Sequence, residues 1–424
     1  MPSARNDEDC TVRNDKGVPM NITVLCKVVD NFGDIGVAWR LCRRLAKIQS
    51  KYKICLIVDD LESFSKIEDR LPRRYAPRND GGVAIASEAT VIASEAKQSI
   101  IIDGIEIFPW HEDDFCHEVF SQNDGERLSI ILELFQCGRP DWMETILFEE
   151  KLERTVHILM VDYLTAEKYA EDFHCLQSLT RSAKVQKVNF MPGFTERTGG
   201  LVIDDQWQEL SPYNANGNVL VFTYENNWTQ LAQAVCDYCK TLPGCRALIA
   251  QGRGKESMLK AFDTVRGREN CIELEYLNQT EWDQMMKECS ALVIRGEESM
   301  SRACLSGIPF IWHAYPQSDE YQLVKVRALL KRMKAHFDEE NFNIVEKAWI
   351  AINSPDEWIA SPSARNDDAD TSLRGAERRG NPYSDFFAAV PRLVPGFRDF
   401  ATSLRKNGDL AANLMTYIEK LAII

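Results

Sequence analysis

The feature that most constrains this chain is an alternation, met twice, of short β-type apolar runs with stretches whose apolar residues recur at helical spacing. Residues 22–29 form a mostly apolar run. A glycine-containing loop follows, and then Val37, Leu41, Leu45 and Ile48 at near-helical intervals. Further strand-like runs fall at 52–58, 106–108 and 155–161, with a helix expected over 127–135. A second series opens with a strand at 218–223 and continues through a helix-like 229–239, a strand-like 247–250 and a helix-like 281–289. Strand-like runs at 291–294 and 308–312 end it. Such alternation is the signature of α/β layers built on parallel sheets. A chain of 424 residues, 45% apolar and 9% aromatic, is long enough to bury two cores. Two α/β halves are therefore expected to meet between residues 184 and 218.

Composition excludes several classes of function. No stretch approaches the roughly 18 consecutive apolar residues of a membrane span, and residues 1–16 are charged where a signal peptide would be apolar. A cytoplasmic protein without membrane attachment is the expectation. Thirteen cysteines, an odd number scattered through apparent strands and helices, read as small buried hydrophobes and fit a reducing compartment. A formal net charge of −14 disfavours nucleic-acid binding, which depends on clustered Lys and Arg.

Three segments share words. PSARND at residues 2–7 recurs at 362–367, PRND stands at 77–80, and IASEA at 85–89 repeats at 92–96. Their separations are irregular and they carry no repeating apolar face, so they are no solenoid. They read as insertions that form surface loops and a disordered N-terminus over residues 1–20.

Two motifs sit where a strand hands over to a helix. Asp30-Asn31-Phe32-Gly33-Asp34-Ile35-Gly36 follows the first strand, at the edge that faces the ligand crevice in doubly wound sheets. It lacks the G-x-G-x-x-G spacing of a dinucleotide site. Asp34 also fits a first-turn acid or N-cap; Asp30, at the strand's end, has no capping task. Arg295-Gly296-Glu297-Glu298-Ser299 occupies the equivalent place in the second half. Ser299 and the glutamates suit a plain helix start, or the helix start and Ser299 hold a diphosphate with Arg295 adding positive charge. Phe222, Tyr224, Tyr276, Gln279 and Trp282 offer flat faces and one amide for a nucleobase, against the commoner role of aromatics as core. Cys236 and Cys239 lack a second ligand pair, and Asp59-Asp60 and Asp204-Asp205 lack calcium-loop spacing, so no metal is expected.

Together these stretches resemble the EarP family of protein-arginine rhamnosyltransferases, which modify elongation factor P. The matching segments are VVDNFGDIGVAWRLCRRLA (28–46), MPGFTERTGGL (191–201), VFTYEN (221–226), LVIRGEESMSRA (292–303) and GIPFIWHAYPQ (307–317). They keep the family's order and cover both halves. The resemblance implies a GT-B architecture, two Rossmann-like domains facing across a cleft, with dTDP-β-L-rhamnose as donor, elongation factor P as acceptor and inversion at the anomeric carbon. It marks Asp30, Asp34 and Glu297 as catalytic, and Phe222, Tyr224, Tyr276, Gln279, Trp282, Arg295, Glu298 and Ser299 as donor-binding. Tyr276 and Trp282 stand where the family often has Phe, and Glu298 where it often has Asp.

The expected division is an N-terminal acceptor domain over 21–185, with an insertion near 76–99, and a nucleotide-sugar domain over 186–385, with an insertion near 361–382. Helices over 386–424 would pack back on the N-terminal domain. Because an arginine guanidinium holds its proton to a pKa above about 12, Asp30 is assigned as general base and Asp34 as the orienting carboxylate. Two alternatives remain at this stage: a GT-B enzyme with another nucleotide-sugar and a glycan or small-molecule acceptor, and a non-catalytic binder of the translation factor.

Overall fold

A computed structural model describes residues 21–29, 33–68, 70–71, 90–94, 97–354 and 380–421. The repeated words at 2–7, 77–80, 85–89 and 362–367 lie outside these residues, as do Asp30, Asn31 and Phe32.

The first half is a nine-stranded sheet. Its core is six parallel strands, β1 (Asn21–Cys26), β2 (Lys53–Val58), β5 (Ile105–Pro109), β6 (Ile130–Leu134), β7 (Val156–Val161) and β9 (Val185–Phe190). They lie side by side as β5-β2-β1-β6-β7-β9. The order of connection reverses between β1 and β6, and that reversal opens a crevice at the strands' carboxyl ends. α1 (Gly33–Ile48) leaves β1 at this point. All six residues of β1 are buried, as expected of a central strand covered on both faces.

Three expectations need correction here. Residues 130–134 form strand β6, where a helix was expected over 127–135. All five of its side chains are buried, and an apolar run covered on both faces shows no alternation, so its pattern does not separate strand from helix. The boundary drawn at 185/186 falls inside β9, which pairs along its whole length with β7. The insertion near 76–99 is not all loop: β3 (Thr90–Ser94) and β4 (Lys97–Ile102) form an antiparallel hairpin on the sheet's edge, attached through Ile100, Ile101 and Ile102 to β5. Ile100 and Ile102 are buried in the core.

The second half is a five-stranded parallel sheet ordered β12-β11-β10-β13-β14. Its strands are β10 (Val219–Val221), β11 (Ala247–Ile249), β12 (Cys271–Glu273), β13 (Ala291–Arg295) and β14 (Phe310–His313). The order reverses between β10 and β13, and α9 (Glu297–Ser306) starts there. The two switch points, and the helix starts beside them, border shared cavities.

Two long C-terminal helices join the halves. Against the expectation that 386–424 pack back on the N-terminal domain, Pro382–Lys406 packs in the core of the second half, and only Leu410–Leu421 contributes, through Leu410, Leu414 and Ile418, to the core of the first. Among the described residues no helix is long and apolar enough to cross a membrane.

Candidate functional site

The first wall of the cleft is the β1–α1 junction. Asp34, in the first turn of α1, is 3% exposed. Its carboxylate accepts the Val29 backbone N–H at 2.8 Å and lies beside the Tyr163 hydroxyl in the same cavity. Tyr163 follows the end of β7 and stacks on Phe135, which follows the end of β6, with ring centroids 4.5 Å apart. Burial first, and then the carboxylates of Asp34 and Glu297, push the Tyr163 hydroxyl well above its ordinary value. It therefore stays a neutral donor at any working pH. Asp162, beside it, accepts from Gln136 at 2.8 Å and faces the same cavity.

The opposite wall is the β13–α9 junction. Gly296 links strand to helix at φ 71°, a left-handed conformation that a side chain disfavours. The Gly296 carbonyl is fixed by the Trp312 indole N–H at 3.0 Å. The turn leaves the free N–H groups of α9 directed at the cleft, a ready site for an anion. Arg295 is 9% exposed, and its guanidinium lies 4.4 Å from the Phe222 ring and 4.5 Å from the Tyr224 ring. Aromatic faces at that distance hold the planar cation without neutralising it. Burial, then the charge of Arg295, pushes the His313 imidazole down to about 3. His313 is thus neutral, and its Nδ1 accepts the Tyr224 backbone N–H at 3.2 Å.

Glu297 opens α9 and pairs with Lys325 at 3.0 Å through Oε1. Burial raises its pKa above the usual carboxylate value, and although Lys325 opposes that rise, Asp34 and Asp162 add to it. A quarter of the side chain remains exposed, and it borders both cavities.

Between the walls lie two adjoining cavities. The smaller, about 170 Å³, is bordered by all eight residues expected to bind the donor. Phe222 and Trp282 meet edge to face with centroids 5.2 Å apart, and Tyr276 is 60% exposed beside them. The Gln279 amide donates at 2.9 Å to the Gly36 carbonyl on α1, a contact between the two halves. The larger cavity, about 360 Å³, is bordered by Asp34, Asp162, Tyr163, Glu297 and Tyr315. An anion-binding helix start thus adjoins a space where Asp34, Asp162 and Glu297 can meet a cation, with Lys325, Arg253 and Arg302 also on its border. Asp30 lies outside the described residues, so its placement is not part of this geometry.

Sequence reading passes over Tyr163, Asp162, Lys325 and Arg40. Tyr163 and Asp162 follow the end of a central strand, the same signal that singles out Asp30. Arg40 had a different one, a charge set among Ala38, Trp39 and Leu41, all fully buried. Its guanidinium contacts Asp204, Asp283 at 2.6 Å and Glu298 at 2.7 Å. Burial disfavours its charge, but Glu298, Asp283 and Asp204 outweigh that and raise its pKa. Glu298 therefore borders the donor cavity with its carboxylate already engaged.

Residues 22–419 match the sequence profile of a family described as Elongation-Factor P (EF-P) rhamnosyltransferase EarP. The chain is similar to the protein-arginine rhamnosyltransferase of Shewanella oneidensis, 28% identical over 347 residues covering 73% of this chain and 79% of that protein. It is also similar to the protein-arginine rhamnosyltransferase of Pseudomonas aeruginosa, 27% identical over 358 residues covering 78% and 86% of the two chains. Among solved structures it is similar to one that gives the structural basis for EarP-mediated arginine glycosylation of translation elongation factor EF-P. That match has 17% identity and a TM-score of 0.50, and covers 95% of this chain and 99% of that one. This likeness shows the GT-B fold, two parallel α/β sheets facing across a cleft.

Proposed function

The chain belongs to the EarP family of elongation factor P rhamnosyltransferases, and from that premise we propose how its two sheets divide the reaction. The reaction is the family's: rhamnose is transferred to an arginine side chain of elongation factor P. The donor is dTDP-β-L-rhamnose, held in the smaller cavity. Its diphosphate rests on the N-terminus of α9 with Ser299 and Arg295, and its base rests among Phe222, Tyr276 and Trp282. Gln279 reads the base edge on exchanging its contact with Gly36.

The acceptor guanidinium enters the larger cavity, where Asp34, Asp162 and Glu297 attract it before reaction. One guanidinium nitrogen attacks the anomeric carbon from the face opposite the leaving group. A C–N bond forms, the C–O bond to the diphosphate breaks, and dTDP departs with the electron pair, so the anomeric configuration inverts. The proton lost from the attacking nitrogen passes to a carboxylate. Asp30 is the assigned base, while Asp34, held by Val29 and beside Tyr163, orients the nucleophile. The negative charge developing on the diphosphate is met by Arg295 and the helix start. Glu297 borders the larger cavity together with Asp34 and Asp162, which supports a role on the acceptor side.

The observation that carries this reading is the convergence of all eight donor residues on one cavity whose far wall is the α1 start. Co-expression with elongation factor P, followed by mass spectrometry of the modified protein, tests it. One added deoxyhexose on an arginine, lost when the dTDP-rhamnose supply is removed, is the expected result; an unmodified acceptor would overturn it.

A further inference from the structure

We propose that the acceptor protein docks on a rigid apolar strip shared by both halves of the enzyme, formed by the short helix Tyr169–Phe173 and the start of the helix Tyr321–Met333, at the mouth of the larger cavity. This inference rests on the protein-acceptor reading above. Tyr169 and Phe173 are 38% and 47% exposed, with ring centroids 6.4 Å apart. Across the boundary, Tyr321 and Val324 are 42% and 46% exposed and stand three residues apart, on one helix face.

Exposed apolar residues scattered singly are ordinary; several gathered in one place mark a binding surface. These four are gathered, and they are fixed. The Tyr321 hydroxyl donates to Glu167 at 3.0 Å, and Arg332 of the same helix binds Glu171 at 2.7 Å and the Ala166 carbonyl at 3.2 Å. The strip therefore spans two domains while its underside is pinned by polar contacts. Binding to it would order little that is not already ordered.

Continuity with the catalytic cleft identifies the occupant. Asp162 and Leu164 border the larger cavity, and the Tyr321 hydroxyl donates to Glu167, two residues before Tyr169. Lys325, next to Val324, borders the cavity as well. An arginine side chain is short compared with a protein domain, so the backbone that presents it must rest at this mouth. Aromatic residues are enriched in such interfaces, since they bury much area at small entropic cost. The whole chain carries a formal charge of −14, which suits a basic segment around the target arginine.

The test uses the full-length enzyme with purified elongation factor P, and two variants made separately in different domains, Phe173→Ser and Val324→Lys. Each removes interface area, and the second also opposes a basic partner. The expected result is a KM for the acceptor protein raised about tenfold or more, the scale of one interface anchor. kcat should stay within about twofold, and calorimetric affinity for dTDP should not change. Melting temperatures identify which variants are folded. An unchanged KM in a folded variant overturns the proposal. So does a wild-type dimer that the same substitutions dissociate while KM stays constant, which would make the strip a self-association surface. Absence of transfer by the wild-type enzyme would instead sink the functional reading itself.

Discussion

Arg40, on the first helix of the acceptor-side sheet, donates to Glu298 at 2.7 Å in the second turn-forming motif, across the boundary between the two halves. The same guanidinium engages Asp283 at 2.6 and 3.0 Å and also Asp204. One buried cation thus ties the helix that carries Asp34 to the helix that faces the donor. Arg40→Met would leave three carboxylates without their shared partner, and breaking a buried pair from one side costs about 3–5 kcal/mol. Chemical denaturation should show a loss of that size. A variant as stable as the wild type would mean that the cluster does not join the halves.

Asp34 accepts a hydrogen bond from the Val29 backbone amide and faces the Tyr163 hydroxyl across the same cavity. With Asp34→Asn, kcat should fall by about 10²–10⁴, the usual contribution of a positioned carboxylate, with dTDP binding unaltered. Tyr163→Phe removes only one donor facing a charged group, worth about 1.5 kcal/mol, and should lower kcat roughly tenfold. Steady-state kinetics of the two variants would refute this order of effects if Tyr163→Phe were the more damaging.

Ser299 and Arg295 border the donor cavity at the start of α9. Replacing either by Ala should weaken dTDP binding, by about tenfold for Ser299 and more for Arg295, since bonds to charged groups are worth about 1.5–3 kcal/mol. Calorimetry with dTDP alone reads this directly. Unchanged affinity in both variants would place the nucleotide elsewhere.

The raised pKa of Glu297 makes a prediction about pH. In the unfolded chain a glutamate titrates near about 4.3. Between that value and the higher native one, the native state holds more protons than the unfolded state. Stability from this group is therefore complete below the unfolded value and declines as pH rises through the native one. Glu297→Gln, which never ionises, should melt above the wild type at neutral pH and lose that advantage near pH 4. A difference in melting temperature that does not vary with pH would contradict the assignment.

Ile102, on the edge hairpin of the first sheet, is 2% exposed. Ile102→Ala should destabilise the protein by about 2–5 kcal/mol, as buried aliphatic truncations do. A neutral effect in thermal unfolding would show that the hairpin is appended to the domain and not part of its core.

The sequence by itself determined the doubly repeated α/β pattern and the two strand-to-helix motifs, because local periodicity and turn chemistry are written in neighbouring residues. It failed where a segment's pattern is set by what covers it. Residues 130–134 are buried on both faces because Ile130, Leu132 and Leu134 enter one core and Ile131 the other, and nothing in the run itself says so. The apolar character of Ile100 to Ile102 suits an edge strand, while the fold alone decides that the strand they pair with is β5. Tertiary structure alone decided that Tyr163 meets Asp34, that Lys325 meets Glu297, and that Arg40 meets three carboxylates drawn from positions 204, 283 and 298. These partners are separated by 28 to 258 residues in the chain. Electrostatic pairing at such separations depends on distance in space, which the packing within each half sets for Asp34 and Glu297 and the packing of the two halves sets for Arg40.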